Sequence, residues 1–406
     1  MQRHGVLRQW IGLFAIGLLV GAGSAWAADD TIVLGSAISQ TGKYAREGKF
    51  YVDAYTLTVD AINKGGGVKV GGKSYKLALK LYDDQSDPNQ CVRLYTRLVT
   101  SDKVNFLLGP YSSGITIPAS SVAEKYETPM IQGGGASEQI FNRGYKYIFG
   151  TLPKAEFYFQ SVIEAATKLT PRVQTAALLY SNEAFDRSVA EGSRQWLKEQ
   201  KLDKLYDEEY QPATQDFTSI LAVLKSKNPD LVLLAGHVEN SLNFIRQAQA
   251  ADFSPKMWAF TVGPPTADFR TALGRTADYA YGITPWLADM EVGGEIFKSA
   301  KEFAQQFQAR FGYAADYHVA SGAADVLIYK HAIEKANSLD PKKVRDAIAG
   351  IDVETLYGRV KFEPTGQIAM GQVLIQIQEG KVVPVYAAGK FAAKPMYPMP
   401  KWSQRK

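Results

Sequence analysis

The sequence predicts an α/β fold in which parallel sheets are covered by crossover helices, and three observations lead there. From Thr31 onward, short apolar runs alternate with longer amphipathic stretches, the pattern of successive β-α-β units. The alternation starts afresh near Thr175, so a second unit of the same kind follows the first. The chain has 406 residues, too many for one ordinary core and suited to two lobes.

Residues 31–37 read as the first strand and 47–63 as a helix, with Val52, Tyr55, Val59 and Ile62 at helical spacing and Gly65-Gly66-Gly67 ending it. Residues 75–82 alternate like a strand, 88–101 are helical, and 104–108 form a buried strand that stops at Gly109-Pro110. A helix over 117–126 leads to the short strand Met130-Ile131 and the turn Gly133-Gly134-Gly135. In the second unit the strands are 175–180, 204–210, 231–235 and 256–260, separated by helices with periodic Leu, Ile and Ala. Helices at 296–311 and 320–336 and strands at 360–362 and 373–378 follow, and the chain is expected to cross between lobes more than once.

Ahead of this lie Arg3 and Arg8, an apolar run from Trp10 to Val20, and Ala25-Trp26-Ala27. The run is short and close to a small-residue site, so residues 1–27 read as a cleaved secretory signal and not as a membrane anchor. No cysteine follows the run, so a chain released into the periplasm is expected, without a lipid tether. Loss of Arg3 and Arg8 takes the formal charge from +5 to +3. No Lys/Arg cluster interleaves with aromatics, which argues against nucleic acid as a partner. Cys91 is the single cysteine and can form no internal disulfide, so stability rests on the core.

The sequence contains no nucleophile elbow, zinc-protease motif or phosphate loop, and no enzymatic activity, cofactor or metal is expected. Gly65-Gly66-Gly67 with Gly71-Gly72 is no dinucleotide loop: it follows a helix, and Val70 stands where a glycine belongs. His237, His318 and His331 are far apart and read as structural or solvated. What recurs is a strand ending in small residues before a helix, at Gly109-Pro110-Tyr111-Ser112-Ser113 and at Gly133-Gly134-Gly135-Ala136-Ser137. Helix N-terminal amides and small hydroxyls at the ends of parallel strands suit a carboxylate. The competing reading is that Ser113 and Ser137 only cap their helices.

Ser39-Gln40-Thr41-Gly42 through Gly48, Asp60-Ala61-Ile62-Asn63 with its glycines, the Tyr82 to Pro88 run, Gly109 to Ser113, and Arg143 to Phe149 form a set. That set resembles the type I periplasmic binding proteins of the leucine-isoleucine-valine kind, and the similarity runs through nearly the whole chain after the signal. The resemblance implies two doubly wound, Rossmann-like lobes joined by a hinge of three crossings near Gly150, Gly282 and Leu356. Lobe one would be 31–150 with 283–356, lobe two 151–282 with 357–390, and 391–406 a peripheral tail. It implies a monomeric substrate-binding component of an ABC importer, delivering a small molecule to permease subunits in the inner membrane. The implied ligand is a branched-chain or aliphatic amino acid, with an aromatic or aliphatic carboxylic acid or an amide as the alternative; a sensor's ligand domain is a more distant reading.

In amino-acid binders of that family, a serine after the third strand and a loop near the fourth hold the ligand carboxylate, and those positions match Ser113 and Gly134-Gly135-Ala136. A threonine often found at the end of that loop is Ala136 here, with Ser137 one residue on and Ser112 one residue before Ser113. The family's acidic partner for a ligand ammonium falls near Val262, which leaves Glu47 or Glu239 to substitute. Aromatic cleft positions fall on Phe185 and near His237-Val238, with Tyr44, Tyr111 and Trp286 as further walls; ordinary packing is the competing reading for each. Some relatives carry a disulfide at positions that are Ser86 and Ser112 here, in keeping with the single Cys91.

Overall fold

The structure, a computed structural model, describes residues 30–405. The expected signal segment, with its cleavage site after Ala27, lies outside the described residues. The first sheet contains β1 (Thr31–Ala37), β2 (Val68–Val70), β3 (Lys73–Tyr82), β4 (Phe106–Leu108), β5 (Met130–Gln132) and β6 (Ile148–Gly150) in the order β2-β3-β1-β4-β5-β6. Its pairs are parallel except for β2, which turns back on β3 through Gly71-Gly72, both at positive φ.

The second sheet repeats the plan. Strands β7 (Thr175–Ser181), β8 (Asp203–Tyr210), β9 (Leu231–Ala235), β10 (Met257–Phe260) and β11 (Tyr281–Thr284) lie parallel in the order β8-β7-β9-β10-β11. Antiparallel β14 (Val373–Gln378), β15 (Lys381–Ala387) and β16 (Lys390–Phe391) extend it beyond β11. Each sheet therefore reverses its winding beside its first strand, between β1 and β4 and between β7 and β9. Loops leaving the carboxyl ends of strands at such a point diverge and open a crevice. Central strands such as β4, β9 and β10 are short and wholly apolar, as Leu231–Ala235 shows with all five residues buried, because helices cover both faces.

The chain passes from the first sheet to the second after β6, returns after β11 and leaves again through a small ladder of β12 (Asp352–Thr355) and β13 (Gly358–Lys361). The strand expected at 360–362 is thus β13, paired only with β12 and not part of the second sheet. On the return, α10 (Tyr317–Ala336) packs along α1 (Ala45–Lys64). Thr151, on the first crossing, donates its hydroxyl to Asp325 of α10 at 2.7 Å.

Two helix starts differ from expectation in ways that matter for the site. Helix α3 (Ser113–Lys125) begins four residues before the expected 117, because Pro118, which favours a first turn, sits in the second turn instead. Helix α10 begins at Tyr317, ahead of the expected 320, because the Asp316 carboxylate accepts from the amides of His318 (2.9 Å) and Val319 (3.2 Å). The tail packs on the second sheet: Met399 donates its amide to the Lys256 carbonyl (2.9 Å) and Trp402 lies 5.7 Å from Trp258, ring to ring.

In helix α5 (Ala184–Glu199), a Cβ on Gly192 would lie 2.0 Å from the Glu156 carbonyl oxygen of the first crossing, which also accepts from the Trp196 indole. Gly192→Ala should therefore destabilise the protein by about 1–3 kcal/mol through overpacking. Chemical denaturation of the two proteins checks this, and an unchanged midpoint would show that the crossing can move aside freely.

Candidate functional site

The carboxyl ends of the two sheets face one another, and the loops at both reversal points meet. Tyr111, Ser112, Gly134 and Ala136 come from the first sheet's loops, and Phe185, His237 and Val262 follow strands of the second. With Leu152 and Tyr158 of the first crossing and Tyr317 and His318 at the start of α10, they enclose one cavity. The room left is about 10 Å³, close to that of one water-sized sphere. Any organic ligand must therefore enter by separation of the two walls.

A hydrogen-bonded chain closes the outer side of this cavity and links the sheets. Tyr111 Oη lies 2.7 Å from His237 Nδ1, and His237 Nε2 lies 3.0 Å from Glu183 Oε2. Tyr44, just before α1, donates its hydroxyl to the same Glu183 oxygen at 2.5 Å, and Lys43 binds the other oxygen. The Tyr44 ring packs edge-on against Tyr111 and His237, at 5.4 and 5.0 Å. Ser137 Oγ meets Ser188 Oγ of α5 at 2.7 Å, and the more exposed Arg46 reaches Glu239 (2.8 Å) and Asp268 (3.6 Å).

Charge follows from this arrangement. Burial by itself depresses the His237 pKa, but the bond to Glu183 and the charges of Asp186, Glu183 and Glu47 outweigh it and raise the value to about 9. Burial works against ionised Glu183 as well, yet the bond and charge of His237, with bonds from Lys43 and Tyr44, hold its carboxyl well below the usual range. Burial pushes Asp186 up to about 7 against the pull of His237, and it also raises Glu47. At neutral pH, His237 is an imidazolium that donates from both nitrogens, to Glu183 and to Tyr111 Oη. Burial keeps the Tyr111 phenol neutral, so its own O–H is free to point toward an acceptor.

The expected anion nest is arranged differently. Gln132 Oε1 accepts from the amides of Gly134 (2.9 Å) and Gly135 (2.6 Å), and Ser113 Oγ accepts from those of Ala136 (3.1 Å) and Ser137 (3.2 Å). The four amides are thus spent on the protein's own side chains. Ser113, Gly135 and Ser137 stand behind the cavity wall, and Ser137 also caps a short 3₁₀ turn through the Gln139 amide. The first amides of α3, at Ser113 and Gly114, donate to no acceptor among the described residues.

Glu47 and Tyr44 border a larger outer pocket of about 390 Å³, reached across the His237–Glu183 pair, and do not line the inner cavity. Glu239 borders that outer pocket too and is paired with Arg46. Trp286 is away from the cavity, its indole donating to the Leu356 carbonyl at 2.9 Å. Glu183, Asp186 and His237 offer ligand atoms within 4.8 Å of one another, a spacing open to a divalent cation. Both His237 nitrogens and both Glu183 oxygens are already occupied by hydrogen bonds, however. Sequence reading missed Leu152, Tyr158, Tyr317 and His318; the Asp316 cap before an apolar helix was the one available signal for the last two.

The sequence profile of the periplasmic binding protein family matches residues 31–381, and the chain belongs to that family. The family is one of substrate-binding proteins of ABC transporters and not of enzymes. The chain is 27% identical over 395 residues to Leu/Ile/Val-binding protein homolog 7 of Brucella suis, covering 93% of this chain and 96% of that protein. Among solved structures it is similar to the branched-chain amino acid transporter substrate-binding protein LivJ of Streptococcus pneumoniae in complex with isoleucine. That match has a TM-score of 0.78 and 21% identity, over 87% of this chain and 97% of that one. A solute-binding protein of an ABC transporter from R. palustris in complex with benzoate matches with a TM-score of 0.77 and 20% identity, over 91% and 99%. These likenesses establish a type I periplasmic binding protein fold, with two lobes and a three-crossing hinge.

His237, raised from its ordinary 6.5 to about 9, contributes stability that is fully present below about pH 6.5 and is lost as pH rises through about 9. Asp186 acts in the same direction, because its raised pKa makes its burial cost grow as pH climbs from about 4 to about 7. Calorimetric melting from pH 6 to pH 10 should show a loss of up to about 3 kcal/mol. His237→Gln should flatten the part above pH 7; an equally steep fall in the variant would place the titration elsewhere.

Proposed function

We propose that this chain is the periplasmic substrate-binding component of an ABC importer, and that its ligand is a small carboxylic acid without an ammonium group, best matched by an aromatic acid. One observation carries the ligand class: the cavity wall presents the His237 imidazolium and several aromatic rings, and no carboxylate lines it. A carboxylate that accepts from the Tyr111 hydroxyl has a cation directly behind that donor. An ammonium in the same space faces that cation with no acid on the cavity wall to balance it. Phe185, Tyr158 and Tyr317 supply faces and edges for an aromatic ring. The benzoate complex of a structural neighbour supports this reading.

Lobe one, 31–150 with 283–356, and lobe two, 151–282 with 357–390, open to admit the acid and close over it. The closed form is the one that permease subunits in the inner membrane distinguish. The name of the Brucella relative and the isoleucine complex favour a second reading, an aliphatic amino acid, which requires Glu47 to turn inward past Tyr44.

A thermal-shift screen on protein unfolded and refolded to remove any ligand separates the two. Benzoate at a hundred times its Kd should stabilise the fold by about 2.7 kcal/mol, and leucine should leave it unchanged. Benzoate binding should fall at least tenfold in His237→Gln. A saturable shift with leucine and none with benzoate would overturn the ligand class in favour of the second reading.

A further inference from the structure

Tyr158, Tyr317 and His318 all stand on the cavity wall and are each 1% exposed. Among the described residues, neither phenol hydroxyl bonds another protein group. Nδ1 of His318 is buried with no hydrogen-bond partner. The nearest charged oxygen, Asp316 Oδ1, is 3.4 Å away and already accepts two backbone amides. Buried polar groups are almost always hydrogen-bonded, and these three residues without side-chain partners line the same small cavity. Tyr111 differs, since His237 engages its oxygen.

We propose that Tyr158, Tyr317 and His318 hold a second polar group of the ligand, a phenolic hydroxyl, which makes the ligand a hydroxylated aromatic acid; this rests on the carboxylate reading above for the first group. The charge inventory selects the hydroxyl. No lysine or arginine lines the cavity to balance a second carboxylate, and no acid lines it to balance an amine. A hydroxyl is neutral and both donates and accepts, which matches two phenols and an imidazole. A site built this way discriminates strongly, because an analogue lacking the hydroxyl leaves the wall's polar groups unpaired and dry.

Isothermal titration of the ligand-free protein with benzoate, 3-hydroxybenzoate and 4-hydroxybenzoate tests this without any variant. At least one hydroxybenzoate should bind tenfold or more tightly than benzoate. Tyr158→Phe and Tyr317→Phe should each lower that ratio at least threefold, with melting curves confirming that both variants fold. Equal affinities for all three acids would overturn the second contact and leave the carboxylate reading standing. Binding of none of them would overturn the carboxylate reading itself, and this inference with it.

Discussion

His237 holds a charge in a place where charge is expensive: its side chain is 10% exposed, with Glu183 on one nitrogen and Tyr111 on the other. A buried cation is tolerable only when its field is balanced and its protons are bonded. Here the balance comes from Glu183, Asp186 and Glu47, three acidic groups from two different lobes. That requirement fixes a good deal of the surrounding structure. Glu183 must follow β7 and His237 must follow β9 on the two sides of the second sheet's reversal point, and Tyr111 must follow β4 at the first sheet's. Two doubly wound sheets that present their carboxyl edges to one another bring these three positions together.

The same chain of bonds explains how such an interface can hold shut and still open. The exposed contacts across it, Arg46 with Glu239 and Asp268, are worth little individually in water. The buried contacts, from Tyr111 and Tyr44 to His237 and Glu183, would leave polar groups that water can re-solvate once the lobes part, so their net value is modest despite good geometry. The cavity of about 10 Å³ shows that the walls can close on each other almost completely. A ligand then shifts the balance only through what it adds differentially to a closed form wide enough to hold it. On the proposed reading, ring contacts and a carboxylate bonded to Tyr111 supply that difference; tight lobe-to-lobe contacts, present with or without ligand, do not.

Much of the fold was legible because its signals are local. Runs such as Leu-Val-Leu-Leu-Ala at 231–235 and the period of α1 report burial directly, and Asp87-Pro88 marks a helix start through a cap and a preset φ. Pro118 misled for the same local reason, since nothing nearby in sequence tells a first-turn proline from a second-turn one. The half of the site that lies at strand ends was equally readable: Tyr111, Ser112, Gly134 and Ala136 sit where parallel strands stop. Tyr158, Tyr317 and His318 belong to a crossing and to a helix start that reach the cavity only through the chain's return between lobes. His318 in particular lies 81 residues beyond His237 and 207 beyond Tyr111 in sequence, and no periodicity encodes that meeting.

The loop amides show how one side chain redirects recognition. Gly134 and Gly135 have the backbone to cradle a carboxylate, and a Cβ at Gly134 would strike the Pro110 carbonyl at 2.2 Å, so the loop packs tightly against the end of β4. Gln132 occupies the cradle instead: its Oε1 takes both glycine amides while its Nε2 donates to the Gly135 carbonyl at 2.9 Å. A neutral amide is a poorer acceptor than a carboxylate, but it is always present and loses no translational entropy. An incoming carboxylate would have to displace Gln132 and strand it in a buried strand end. The open amides at the start of α3 and the Tyr111 hydroxyl backed by the His237 imidazolium cost nothing comparable to engage. Under the proposed carboxylate reading, anion recognition rests on a charge held by the opposite lobe and not on the loop amides, so the group that would neutralise the ligand is also the one that joins the two halves.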